Sequence, residues 1–261
     1  MSLKKLFTRF PKLLKRAGMT RTDKSGEEHM TYFLTSSPCL LGEEKLNSAN
    51  DFLAKLKAAL SSPCSCLFIT SDRDNRPFTE GHGYAIKRSF ENSGFEFTEY
   101  ILLDGSNEAE AKELIAKAEL IVLAGGHVPT ELSFFQKIKL RELIKDFKGV
   151  ILGISAGSMN SADIVYIQPE LPGESREDFV RFAPGLGITK AQILPHYNQV
   201  KDSLLDGRRL FEDITFADSY GHRFLVLSDG SYLYGDGKTE EVLGEAWIIE
   251  NGAMKQISEN K

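Results

Sequence analysis

Cysteine is scarce in this 261-residue chain, which has only Cys39, Cys64 and Cys66. An odd number spread over a chain this long is no disulfide framework, and Cys64-x-Cys66 lacks the second pair that a zinc site would want. A reducing, cytoplasmic setting without a metal is expected. Long hydrophobic runs are also missing: none approaches the ~20 residues needed to span a bilayer. Net positive charge is confined to one end. Residues 1–24 hold eight Lys or Arg against one Asp, so a formal charge of -5 for the whole chain leaves -12 on the remainder. Such a body repels phosphate backbones, which excludes nucleic acid as its partner.

What is present is a core. With 41% hydrophobic residues, the chain can bury enough surface for one α/β domain, placed at residues 30–261. Residues 1–29 read as a basic extension. Lys4, Lys5, Arg9, Lys12, Lys15 and Arg16 alternate with Leu3, Leu6, Phe7, Phe10, Leu13 and Leu14, a pattern that suits an amphipathic surface helix. Pro11 interrupts it, and no signal-peptide apolar core is present. The reading is a loosely attached segment, with membrane or partner contact as the alternative.

Strands and helices then alternate. Residues 31–36, 66–70, 95–103 and 120–123 have strand character, and residues 46–60, 79–93, 108–118 and 131–147 have helical character. This repetition predicts a doubly wound, mostly parallel sheet flanked by helices, with ligands beyond the C-terminal ends of the strands. Ser36-Ser37-Pro38, Gly125-Gly126-His127 and Ser155 all fall at such ends. After Arg223 the texture changes to short strands at residues 224–228, 231–234, 242–250 and 253–257. With Asp229-Gly230 and Asn251-Gly252 as turns, these predict C-terminal antiparallel hairpins without chemistry of their own.

The chain is organised around Gly149-Val150-Ile151-Leu152-Gly153-Ile154-Ser155-Ala156-Gly157-Ser158, a short apolar run that stops at Gly-x-Ser-x-Gly. Glycines at both flanks permit the sharp strand-to-helix turn that exposes a serine hydroxyl to the free N–H groups of the next helix. A serine nucleophile needs a base and a group to orient that base. His196, at the end of Ile193-Leu194-Pro195, is the favoured base. His127, after Gly125-Gly126, is its rival and a substrate-contact candidate. His29, His82 and His222 read as structural or surface residues. The orienting acid is sought between Ser155 and His196, where Asp163, Glu170, Glu174, Glu177 and Asp178 are available. Glu170 is favoured because Pro169 stiffens its segment. Two N–H groups, on Ala156 and in the Gly125-Gly126 turn, would make an oxyanion hole.

Gly-Ile-Ser-Ala-Gly-Ser, the upstream Leu-Ala-Gly-Gly-His and the later Leu-Pro-His-Tyr resemble the serine peptidase family that contains dipeptidase E (aspartyl dipeptidase) and cyanophycinase. The resemblance covers roughly residues 30–257. It implies a class I glutamine amidotransferase-like fold in which a serine replaces the elbow cysteine, and an acyl-enzyme mechanism on short peptides without a cofactor. It assigns the nucleophile to Ser155, the base to His196 and the oxyanion donors to Gly126 and Ala156. Glu170, fifteen residues after Ser155, falls where dipeptidase E has its aspartate. The family's recognition arginine for a substrate aspartate has no clear match, though Arg208 and Arg209, on an expected helix after Asp206, lie in the expected region. The glutamate brings cyanophycinase-like exopeptidases closer. An α/β-hydrolase-type esterase and a noncatalytic amidotransferase-like binding protein are the remaining alternatives, and either a monomer or a dimer fits the sequence.

Overall fold

The computed structural model describes residues 29–260; the segment over residues 1–28, expected as a basic extension, lies outside them. The first half of the chain runs β1 (Thr31–Thr35), α1 (Phe52–Ala59), β2 (Cys64–Ile69), α2 (Arg76–Asn92), β3 (Phe97–Leu103), α3 (Ala111–Lys117), β4 (Leu120–Leu123), α4 (Val128–Lys137), α5 (Leu140–Leu143), β5 (Val150–Ile154) and α6 (Ala156–Asn160). Its five strands are mutually parallel, in the spatial order β1-β5-β4-β2-β3.

Alternating side chains explain why this sheet needs cover on both faces. Phe33, Phe68, Val122 and Leu152 point to one side, where they meet Phe52, Leu56, Ile86 and Phe90 of α1 and α2. Leu34, Leu67, Ile121 and Ile151 point to the other, against Leu114, Phe134, Phe135 and Leu140. Phe33, Phe68, Phe90 and Phe134 are at most 1% exposed, and burying each such ring contributes roughly 1.5–3 kcal/mol.

Helix boundaries follow local chemistry more closely than periodicity does. α2 begins at Arg76 because Asn75 caps it, its side chain accepting from Phe78 N–H at 3.3 Å, with Pro77 in the first turn. The single helix expected over 131–147 is two. α4 starts earlier, with Pro129 in its first turn, and Lys139 in the left-handed region (φ 55°) separates it from α5. The early start sets α4 directly behind the Gly125-Gly126-His127 turn.

The second half departs further from expectation. After β6 (Ile164–Tyr166), β7 (Phe182–Pro184), β8 (Gln192–Leu194), α7 (Tyr197–Val200), β9 (Leu204–Leu205), β10 (Arg208–Arg209) and a π-helical segment, Leu210–Thr215, come β11 (Arg223–Leu227), β12 (Tyr232–Gly235), β13 (Glu240–Leu243), β14 (Ala246–Glu250) and β15 (Ala253–Ser258). β11 and β12 do not form a hairpin. β12 joins the main sheet antiparallel to β1, and β13 makes the edge. β11 belongs to a second sheet, β15-β14-β11-β8, in which it runs parallel to β8. Residues 228–231, including Asp229-Gly230, therefore cross between two sheets. The apolar run over 242–250 is likewise divided at Gly244, whose φ of +93° turns the chain from β13 into β14. Leu225, Leu227 and Ile193 of the second sheet pack on the same core face as α3, α4 and α5. No helix among the described residues is long and apolar enough to cross a membrane.

Candidate active site

β5 delivers Ser155 at its C-terminal end with φ 51° and ψ -109°, a conformation that a non-glycine residue rarely adopts. Both flanking glycines are sterically required. A Cβ on Gly157 would lie 2.5 Å from Leu123 O, and one on Gly153 would lie 3.0 Å from Ser158 Cα. The Ser155 N–H donates to Thr35 O at 3.1 Å, which fastens the turn to the neighbouring strand. Ala156 is the first residue of α6, so its N–H has no acceptor within the helix.

The Gly125-Gly126 turn packs directly on this serine, since a Cβ on Gly125 would be 3.3 Å from Ser155 Cβ. Ser71, at the end of β2, holds the turn by donating its hydroxyl to Gly125 O at 2.7 Å. His127 is turned elsewhere. Its Nδ1 meets Thr130 Oγ1 at 2.8 Å and its Nε2 meets Glu174 Oε1 at 2.9 Å. The other oxygen of Glu174 accepts the N–H groups of Glu170 and Leu171, both at 2.9 Å. His127 thus latches the loop over 170–174, with both ring nitrogens engaged, and it is not among the residues lining the cavity beside Ser155.

His196 leaves the second sheet from β8, not a strand of the main sheet. It is held at φ 59°, and its N–H donates to Ser36 Oγ at 2.7 Å. Its Nδ1 lies 2.7 Å from Asp229 Oδ1, and the Ser36 hydroxyl donates to the same oxygen at 2.6 Å. Gln199 Nε2 donates to Asp229 Oδ2. Burial opposes ionisation of Asp229, but the bonds from His196, Ser36 and Gln199 outweigh it and hold the carboxyl below its ordinary value. With Nδ1 engaged, Nε2 is the ring nitrogen left for an incoming proton.

Ser155, His196, Gly126 and Glu170 line one cavity of about 280 Å³, with Met159, Leu205 and Leu210 among its apolar walls. A larger cavity of about 550 Å³ opens at the opposite ends of the strands, against Thr31, Gly149 and Val150, away from the serine. Chemistry and not volume selects the smaller one.

Two expectations need correction. The carboxylate bonded to His196 is Asp229, in the crossover between the sheets, and not Glu170. Glu170 borders the cavity with an exposed side chain. Desolvation pushes its carboxyl up, Glu174 adds to this, and His127 and His196 oppose it, but no hydrogen bond joins it to His196. Arg208 and Arg209 stand on β10 and not on a helix, because Asp206 (φ 51°) and Gly207 (φ 79°) make a two-residue turn that pairs β9 with β10. Arg208 donates to Ser175 O and Asp213 O at 3.2 and 2.7 Å, whereas Arg209 binds the Asp213 carboxylate at 2.7 and 3.1 Å. Neither borders the cavity. The Asp206-Gly207 dipeptide between apolar and basic pairs was the signal for that hairpin. Ser36 was readable as a strand-end residue, but nothing local marked Asp229 as more than a turn.

A mostly parallel sheet whose central strand ends in a strained serine, with a histidine and carboxylate brought over from a second sheet, defines a serine-type peptidase of the amidotransferase-like α/β class. The family model for peptidase family S51 matches residues 32–243, and the chain belongs to that family. It is a peptidase of the dipeptidase E and cyanophycinase kind. The fold is shared with the solved structure of a candidate peptidase E protein from Listeria monocytogenes EGD-e, at a TM-score of 0.55 and 18% identity over 88% of this chain and 99% of that one. No curated protein matches the chain.

Proposed function

We propose that this peptidase cleaves short peptides through a Ser155–His196–Asp229 triad and an acyl-enzyme. The carrying observation is the 2.7 Å contact between His196 Nδ1 and Asp229, at a cavity that Ser155 also lines. Asp229 keeps the imidazole in the tautomer whose Nε2 is an acceptor. Ser155 Oγ attacks the scissile carbonyl carbon as Nε2 takes its proton. The N–H groups of Gly126 and Ala156 receive the carbonyl oxygen as it becomes negative. His196 then passes the proton to the leaving amine, and water cleaves the ester by the same path in reverse.

The charge of the cavity bears on the substrate. Glu170 and His196 are its ionisable lining side chains, and no lysine or arginine stands among its lining residues. An aspartate side chain at the scissile residue would find no cation there, so the aspartyl preference loses its support. An exposed carboxylate beside the nucleophile suits a positive group, and in a short peptide the free amino terminus is the nearest one to the scissile bond. Glu170→Gln is expected to raise KM by about fivefold for free dipeptides, the order of one exposed ion pair, and to leave their N-acetylated counterparts unchanged. Steady-state kinetics on Ala-, Leu-, Asn- and Asp-initiated dipeptides, each free and acetylated, measures this. A wild-type preference for Asp, or equal losses on both sets, would speak against the role given to Glu170.

Treatment with a fluorophosphonate followed by peptide mass spectrometry tests the nucleophile. Ser155 is expected to carry the adduct at neutral pH, and Ser155→Ala is expected to carry none at any position. Folded wild-type protein left unmodified would remove the basis of the mechanism.

A further inference from the structure

Glu131 is fully buried (0% exposed) and takes no part in the mechanism above. It sits one turn into α4, where its N–H donates to His127 O at 3.1 Å. Its one side-chain partner among the described residues is Asn160, also 0% exposed and the last residue of α6. Asn160 Nδ2 donates to Glu131 Oε2 at 2.8 Å and to Val128 O at 3.1 Å, which uses both amide hydrogens. Turning the amide over would set its oxygen against Val128 O, so its orientation is settled. Two acceptors are then left without a hydrogen: Glu131 Oε1 and Asn160 Oδ1.

An ionised carboxylate in this place would be an uncompensated buried charge, which costs several kcal/mol. Among the described residues no cation is at hand. α6 has no ionisable side chain, and on α5 Arg141 is bound to Gly185 O and Asp163 while Glu142 is exposed. At the start of α4, His127 is turned to Glu174. Burial drives the Glu131 carboxyl well above its usual range, with the Asn160 bond opposing. One proton on Oε1 removes the charge and supplies the hydrogen that both bare oxygens lack.

The location gives the pair a consequence. α4 follows the turn that contains Gly126, and α6 begins at Ala156, so Asn160 ties the end of the five-residue α6 to the first turn of α4 behind the proposed oxyanion donors. We propose that Glu131 is held as a neutral carboxylic acid, that its proton closes a two-bond ring with the Asn160 amide, and that this pair is a positioning element which sets the spacing of the Gly126 and Ala156 N–H groups. The spacing role rests on the proposed mechanism; the protonation state does not.

Glutamine reproduces the neutral acid's pattern, with one acceptor for Asn160 Nδ2 and one donor for Asn160 Oδ1, and it cannot ionise. Leucine removes both bonds. For Ser155 phosphonylation by a fluorophosphonate, Glu131→Gln is expected to keep kinact within about twofold of wild type. Glu131→Leu and Asn160→Leu are expected to lower it at least tenfold, with KI within twofold. Thermal unfolding supplies the second readout. A carboxyl whose folded-state pKa is raised stabilises the fold most at low pH, and this stabilisation is lost as pH rises above its unfolded value of about 4.3. The Tm of Glu131→Gln should therefore gain on wild type steadily from pH 5 to pH 9. A gap in Tm that does not change with pH, or a Gln variant as damaged as the Leu variant, overturns the neutral acid. Folded Leu variants with wild-type kinact overturn the positioning role. If wild-type Ser155 does not react at all, the mechanism fails, and the pH series still decides the state of Glu131.

Discussion

Asp229→Asn is expected to lower kcat on dipeptides by about 10⁴-fold with little change in KM, the size of the same change in other serine protease triads. The asparagine amide can donate to His196 Nδ1. That stabilises the tautomer with hydrogen on Nε2, which cannot accept the Ser155 proton, and it removes the negative charge that balances the imidazolium. The amide nitrogen then replaces the oxygen that accepts from Ser36, but the Ser36 hydroxyl oxygen still accepts the His196 N–H, so the backbone of His196 should stay in place. Glu170→Gln, in contrast, should leave kcat within about fivefold, since Glu170 makes no bond to His196 and its expected effect is that of one exposed charge. The opposite ranking would restore Glu170 as the orienting acid. Stability gives an independent check. Asp229 titrates below its ordinary value in the folded protein, so its contribution is present above the unfolded value of about 3.9 and is lost as pH falls through the depressed one. The difference in Tm between wild type and Asp229→Asn should accordingly shrink between pH 5 and pH 2.

Gly126→Ala is expected to lower kcat by about 10²–10³-fold, the cost of misplacing one oxyanion donor. The new methyl would stand 2.3 Å from Ser71 Oγ and 2.7 Å from Ser71 Cβ. Ser71 is 2% exposed and its Cβ is fixed to the end of β2, so rotation of its hydroxyl cannot relieve the second contact. The Gly125-Gly126 turn must move, and the Gly126 N–H moves with it. Ser71→Gly removes both clashing atoms, so the double variant should recover part of the loss. Gly81→Ala is the matched control: it lies on α2 with nothing within 4 Å of the added Cβ and should keep full activity. Kinetics on the four proteins measure the effect. Gly126→Ala within twofold of wild type would remove Gly126 from the oxyanion hole.

The histidine and the serine were legible for local reasons. An apolar β5 bounded by Gly149 and by Gly153-x-Ser155-x-Gly157 has one comfortable geometry, because close approach of the backbone at these positions excludes a side chain. The alternation of β1 to β5 with helices is likewise a matter of period, and it led directly to the strand ends where Ser36, Gly126 and Ser155 meet. Boundaries shifted where one residue outweighed periodicity, as with the Asn75 cap and the left-handed Lys139.

Sequence alone thus determined the class of fold and marked the elbow serine, the histidine and the two glycine turns as the candidates that line one cavity, since each depends on residues within a few positions of one another. The tertiary structure decided which carboxylate meets His196 and which charged residues line the pocket. Asp229 reaches His196 because β11 pairs with β8 in one sheet while β12 pairs with β1 in another, and the chain between them must pass the C-terminal ends of both. Glu170 has the right spacing from Ser155, but its segment is fastened to Glu174 and through it to His127. Arg208 and Arg209 are drawn away by Ser175 and Asp213. Which partner a charged side chain takes is a competition among groups distant in sequence, and only the packing of the two sheets brings those competitors within reach of one another.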